Sequence, residues 1–257
     1  MLSSNFLGNI SGNIFIMSFT WYNSLMNVIE FKEACLKMGL VLSDLQLEQY
    51  EKYYQLLNEW NKVMNLTGID EHDEVYEKHF YDSLLSIENI KYEGSLVDVG
   101  SGAGFPGLVL KIAYPDLFVT LLEPIGKRCR FLQAVIDELG LQKIEVVNER
   151  SEDFAKSKRE SYDFVTARAV SNLNILSELC VPLIKVGGHF IVLRGSSGSE
   201  EIVNAKEALK ALGAKEVSVF EKELNDGSKR IIADYVKVKA TNLKYPRNYG
   251  MIKKRPL

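Results

Sequence analysis

Three observations predict a doubly wound α/β fold preceded by a small helical segment. From Ser95 onward, short apolar runs alternate with helical stretches, the pattern of βα units in a mostly parallel sheet. A glycine-rich stretch, Gly100 to Gly107, directly follows the first of those runs, where such folds turn from strand into helix. The last two runs are separated only by Asn225–Lys229, so the sheet is expected to end in an antiparallel hairpin. Composition agrees: 257 residues, 46% hydrophobic and 25% charged, argue against a disordered, collagen-like or transmembrane chain.

In chain order, residues 1–25 carry no charge and lack the basic start and cleavage site of a secretory signal. They are too interrupted by Asn, Ser and Gly to span a bilayer. They are read as a disordered or non-native extension, with Met1, Met17 and Met26 as alternative starts. Residues 26–92 form the helical segment, expected to pack on the larger domain. One helix runs from Glu30 to Met38 and stops at Gly39. A second begins after Ser43, with Gln46 completing a capping box. Its apolar face is Leu45, Tyr53, Leu56, Leu57, Trp60 and Met64. A third covers Glu74 to Leu85.

Residues 93–239 form the Rossmann-like domain. Its seven strands are Leu96–Val99, Phe118–Leu122, Ile144–Val147, Phe164–Ala167, His189–Leu193, Glu216–Glu221 and Arg230–Val238. Helices fit between them, including Gly126–Leu139 and Leu173–Ile184. Residues 240–257 form a tail. Charge is uneven: residues 26–96 hold 6 Lys/Arg against 14 Asp/Glu, whereas residues 237–257 hold seven basic residues and no acid. Net charge is only −3, so any nucleic-acid contact must find its cations locally. Cys35, Cys129 and Cys180 share no metal-ligand spacing, and no metal is expected; sparse thiols suit a reducing cytoplasm.

The strongest local signal is Val97-Asp98-Val99-Gly100-Ser101-Gly102-Ala103-Gly104-Phe105-Pro106-Gly107. Glycines let the backbone turn sharply and approach a ligand, and a helix start favours polar or anionic groups. From Gly102 the stretch also matches the dinucleotide fingerprint G-x-G-x-x-G. Glu123, ending the next strand, sits where an acid binds both hydroxyls of a ribose, in either a nicotinamide or an S-adenosylmethionine site. Asp98 within the strand, the 160 or so residues that follow and the terminal hairpin favour S-adenosylmethionine and a class I methyltransferase fold. Ser151 and Glu152 follow the third strand, where an acid and an amide can meet an adenine; Glu152 equally suits a helix start. Arg168 follows the fourth strand and so points at the same crevice, where a carboxylate or phosphate partner is expected.

Seven motifs then fall in register. They are Asn58-Glu59-Trp60-Asn61-Lys62-Val63-Met64-Asn65-Leu66-Thr67, His79-Phe80-Tyr81-Asp82-Ser83 and the loop ending Gly104-Phe105-Pro106-Gly107. Gly126-Lys127-Arg128, Arg150-Ser151-Glu152, Thr166-Ala167-Arg168-Ala169 and Tyr245-Pro246-Arg247 complete them. From Met26 to the C-terminus the chain resembles the bacterial ribosomal RNA small subunit methyltransferase G family, also called glucose-inhibited division protein B. The resemblance implies methyl transfer from S-adenosylmethionine to N7 of a guanine in the 530 loop of 16S ribosomal RNA. It implies cofactor contacts from Gly100, Gly102, Phe105, Glu123, Ser151, Glu152 and Arg168, and a cytoplasmic monomer acting on the 30S subunit or an assembly intermediate. Many members have Asp in place of Glu123; the usual lysine after the fifth strand is Arg194, and the tail has Asn248 and Ile252 where Lys and Pro are common.

Guanine N7 carries an in-plane lone pair, so it can attack a methyl without losing a proton and needs no general base. The Asn-Pro-Pro-Tyr loop of amino-group methyltransferases and the Pro-Cys nucleophile of cytosine-C5 enzymes are missing. Lys127, Arg128, Arg130, Arg194 and Arg247 form the expected RNA path, with a solvated helix face as the alternative for the first three. His79 is read as a hydrogen-bonding bridge between the helical segment and the sheet, with RNA stacking as the alternative. Two competing functions are an NAD-dependent oxidoreductase on the same glycines and a non-catalytic RNA-binding module.

Overall fold

A computed structural model describes residues 25–88, 93–168 and 171–257. Of the expected extension over residues 1–25, residues 1–24 lie outside the described residues, as does Ala169. Seven strands form one sheet: β1 (Ser95–Val99), β2 (Phe118–Leu122), β3 (Ile144–Val147), β4 (Tyr162–Arg168), β5 (Ile184–Arg194), β6 (Ala214–Glu223) and β7 (Lys229–Lys237). Their spatial order is β3-β2-β1-β4-β5-β7-β6. The first five strands are parallel, and β7 runs antiparallel to both β5 and β6. The sequence anticipates the strand count, the parallel half and the terminal hairpin.

Strand alternation sends two sets of side chains to two cores. Leu96, Val119, Leu121 and Ile191 face one core; Val97, Val165, Phe190 and Val192 face the other. On the first face lie α1 (Val28–Lys37), α2 (Asp44–Met64), α5 (Gly107–Ala113) and α6 (Gly126–Leu139). Between α2 and β1 a helical run passes through α3 (His72–Val75), a π-helical turn Tyr76–Tyr81, α4 (Asp82–Leu84) and a 3-10 turn. On the second face lie α7 (Ser151–Phe154), α8 (Leu173–Cys180), α9 (Gly198–Leu212) and α10 (Tyr249–Lys254).

The N-terminal helices are fastened to the part of the sheet that carries the glycines. Ser43 and Gln46 form the capping box of α2, and the Gln46 amide also donates to the carbonyls of Ile112 (2.7 Å) and Ala113 at the end of α5. Tyr50 donates to Val109 O at 2.9 Å, and Tyr53 donates to Ala103 O within the glycine loop. Phe31, Tyr50, Tyr53, Tyr76 and Phe80 are fully buried in one aromatic cluster. Such rings carry most of a core's apolar area and prefer tilted or edge contacts.

The tail is a structured element. Asn248 caps α10, its side chain accepting from Met251 N–H at 3.0 Å, and Ile252 is fully buried in the second core. The two tail residues expected to depart from the family pattern are the cap and the anchor of this helix. Among the described residues no helix is long and apolar enough to cross a membrane, and no group of His, Cys, Asp and Glu could hold a metal ion.

Candidate functional site

The glycine loop builds the floor of a cleft at the carboxyl ends of β1 and β2. Gly100, Gly102 and Gly104 all have positive φ (73°, 59° and 96°), the region that favours glycine. A Cβ at Gly104 would strike Leu108 and Tyr53, whereas one at Gly102 would meet only Gly100 O, at 3.7 Å. Gly104 is thus required by packing, and Gly102 leaves space open in the cleft. Gly107 N–H donates to Asp98 Oδ2 at 3.1 Å, tying the start of α5 to β1. The other carboxyl oxygen, Asp98 Oδ1, is buried without a partner. Burial pushes the Asp98 carboxyl up to about 7, opposed by the Gly107 hydrogen bond, Ser101 and the Arg168 charge.

Glu123 is buried at the far wall, where its two oxygens accept from Gly102 N–H (2.9 Å) and Ile125 N–H (2.8 Å). The resulting cavity, about 360 Å³, is lined by Gly100, Gly102, Phe105, Glu123, Arg128 and Arg168 among others. Leu66 and Thr67 close it from the N-terminal segment. Their turn is held by Asn61, whose Oδ1 accepts from both backbone N–H groups while its amide donates to Thr67 O. That explains the Asn61-to-Thr67 motif physically and adds two lining residues that the sequence reading did not single out. A smaller cavity, about 120 Å³, continues past Gly100 to Arg150, Ser151 and Glu152. The Ser151 hydroxyl donates to Leu179 O at 2.6 Å, so it is spent on the fold.

Arg168 stands where this cleft meets a second one. Its Nη1 donates to Asp82 Oδ2 (2.9 Å) and Lys78 O (3.1 Å), its Nη2 donates to His79 Nδ1 (3.0 Å), and the guanidinium lies over the Phe105 ring. The carboxylate partner expected for Arg168 is therefore Asp82, which also accepts from Arg230 Nε at 2.9 Å. His79 Nδ1 lies 3.0 Å from both Arg168 Nη2 and Lys78 O, and its Nε2 lies 2.7 Å from Thr67 Oγ1. His79 stacks on Phe105 at 4.3 Å. Burial, then the Arg168 charge, pulls its imidazole down to about 3. This is the bridging role; a ring so enclosed does not stack on RNA. The expected regular helix over this stretch instead includes the π turn, which presents Lys78 O, His79 and Asp82 together to Arg168.

The second cleft, about 500 Å³, is lined by Lys78, His79, Asp82, Arg168, Arg194 and Arg230 among others. Arg194 is largely buried, donates to Ser171 O at 2.8 Å and faces Glu201. Arg247 departs from the expected RNA contact. Its Nε and Nη2 grip both oxygens of fully buried Glu178, at 2.9 and 2.6 Å, which fixes the tail to α8. Lys127 and Arg130 are exposed at the start of α6, and Arg128 reaches the first cleft.

The strand order and a glycine-walled cleft at the carboxyl ends of β1 and β2 define a Rossmann-like fold of the class I methyltransferase type. The family described as rRNA small subunit methyltransferase G (GidB) matches residues 46–232, and the chain belongs to it. A ribosomal RNA small subunit methyltransferase G of Staphylococcus epidermidis is 48% identical over 90% of this chain and 99% of its own. The Brevibacillus brevis protein of the same name is 44% identical over 89% and 98%. A crystal structure from Pyrococcus horikoshii, assigned only provisionally as a transferase, shares the fold with a TM-score of 0.50 and 16% identity, over 61% of this chain and 62% of that one.

Proposed function

We propose that this chain methylates N7 of a guanine in the 530 loop of 16S ribosomal RNA, using S-adenosylmethionine, on the 30S subunit or an assembly intermediate in the cytoplasm. Membership of a small-subunit rRNA methyltransferase family supports the reaction class. The observation that carries the reading further is that two clefts meet at Arg168 and His79, one walled by glycine backbone and the buried Glu123, the other rimmed by cations.

The first cleft fits the cofactor on two grounds: open space over Gly102 and the pair of oxygens on Glu123, each with acceptor capacity left. When bound, S-adenosylmethionine supplies an electrophilic methyl on a sulfonium. Glu123 would accept from the ribose hydroxyls, and Gly100, Gly102 and Phe105 would flank the donor. The Ser151 backbone N–H and Glu152 would meet the adenine, since the Ser151 hydroxyl is already engaged.

The guanine enters the second cleft, unstacked from the RNA. Its N7 lone pair attacks directly, so the chain's task is alignment rather than proton removal. Positioning of this kind can contribute about 7–11 kcal/mol at best. Arg168, held by Asp82, His79 and Phe105, is the fixed post between donor and acceptor. Lys127, Arg128 and Arg130 offer phosphate contacts along the start of α6, so activity should fall steeply with salt.

The test is methyl transfer from labelled S-adenosylmethionine to 30S subunits from a strain lacking the modification, mapped by cleavage selective for N7-methylguanine. One labelled guanine in the 530 loop is expected. Label at another base or atom overturns the substrate assignment. Loss of turnover in any single carboxylate variant that still binds cofactor and RNA overturns the base-free mechanism.

A further inference from the structure

A third cavity, about 450 Å³, opens at the opposite end of the sheet from both clefts. Because β7 is antiparallel, its last residues and the first of β6 lie at that far end, beside the C-terminal half of α9. Four lysines line it: Lys206, Lys210, Lys215 and Lys239. All four are exposed, and none has a side-chain ion pair or hydrogen bond within the described protein, unlike Lys78, Lys143, Lys185 or Lys237. A single acid, Glu216, stands against them. Lysines alone would be a solvated face. The second observation is Tyr235, which lines the same cavity, is 2% exposed and has a hydroxyl with no partner.

A buried hydroxyl without a partner bears its full desolvation cost, so such groups normally meet an acceptor. Burial raises the Tyr235 pKa, which keeps the phenol protonated and able to donate. A donor beneath a ring of unpaired ammonium groups suits an anion with several acceptor oxygens, and Leu209 and Val238 supply an apolar wall for whatever carries it. The long, flexible lysine stems at the rim can part to admit it.

We propose that this cavity binds a phosphate group, held by Lys206, Lys210, Lys215 and Lys239 and accepting a hydrogen bond from Tyr235, on either a free nucleotide or a nucleotide of an RNA chain. The site lies apart from the methyl-transfer clefts and does not depend on their assignment.

The test is calorimetric titration of the full chain with uridine 5′-monophosphate and, separately, with a short single-stranded RNA at low salt. Wild type is compared with Tyr235→Phe and with a variant carrying Lys→Gln at all four lysines, each checked for an unchanged thermal midpoint. At least one probe should bind, with affinity lowered about tenfold or more by Tyr235→Phe, as for loss of a hydrogen bond to a charged group. The four-lysine variant should lose more. Mononucleotide binding as tight as RNA binding assigns the source to a free nucleotide; RNA binding alone assigns it to RNA. If neither probe binds, or the lysine variant loses binding while Tyr235→Phe leaves both affinities unchanged, there is only surface charge and no phosphate site.

Discussion

The glycine loop and the C-terminal tail lie far apart in the chain, and they spend their buried polar groups in opposite ways. In the tail the buried contacts are internal: Arg247 grips Glu178, Arg159 donates to the carbonyls of Thr241, Asn242 and Tyr245, and Asn174 donates to Leu257 O. In the loop, Asp98 Oδ1 has no partner, and each Glu123 oxygen accepts one N–H and keeps room for more. A region whose hydrogen bonds are all satisfied internally holds the fold. One whose buried acids have capacity left is shaped for a ligand.

The largest effect should come from breaking the tail. Arg247→Ala leaves the fully buried Glu178 carboxylate without its counter-charge, keeping only the backbone N–H of residue 247, so stability should fall by about 3 kcal/mol, the low end for a severed buried pair. Thermal or urea unfolding measures it, while cofactor affinity of the folded protein should stay near wild type. Gly104→Ala should cost nearly as much, roughly 2–3 kcal/mol, from a positive φ and overpacking against Leu108 and Tyr53. That is a loop position whose role is structural, and it sharpens the contrast with Gly102. Glu123→Gln should act on binding more than on folding, weakening S-adenosylmethionine about tenfold by calorimetry.

The last effect is a pH dependence, silent at neutral pH. The folded state holds His79 neutral down to about 3, below its ordinary 6.5. The unfolded chain therefore takes up the proton first, and stability is lost as pH falls from about 6.5 toward 3. His79→Gln should remove that part of the acid limb in unfolding curves taken across the window. An unchanged acid limb would mean that the ring takes up its proton equally readily folded and unfolded.

Signals confined to neighbouring residues were legible in advance. The Ser43–Gln46 box, the glycine spacing with Asp98 two residues ahead, and the strand alternation each depend on local backbone chemistry. What stayed hidden depends on partners far along the chain. The Arg247–Glu178 pair joins residues 69 apart, and the Arg230–Asp82 pair joins residues 148 apart. No spacing rule reveals either. The charge of the tail was plain in the sequence, but whether a given cation faces solvent or a buried acid was not. Asn248 was legible as a helix cap, since Asn is a favoured N-cap residue, yet comparison with a family pattern made it look like a departure. Asp82 and Thr67 appeared inside motifs without a role, because their partners, Arg168 and His79, come from other elements.

The measurement that bears most directly on the loop's role is S-adenosylmethionine binding by Gly102→Ala. The added methyl enters open space in the cleft and touches little of the protein, so a variant that remains folded should lose cofactor affinity by a large factor. A folded Gly102→Ala protein that binds S-adenosylmethionine as tightly as wild type would contradict the placement of the donor over this loop.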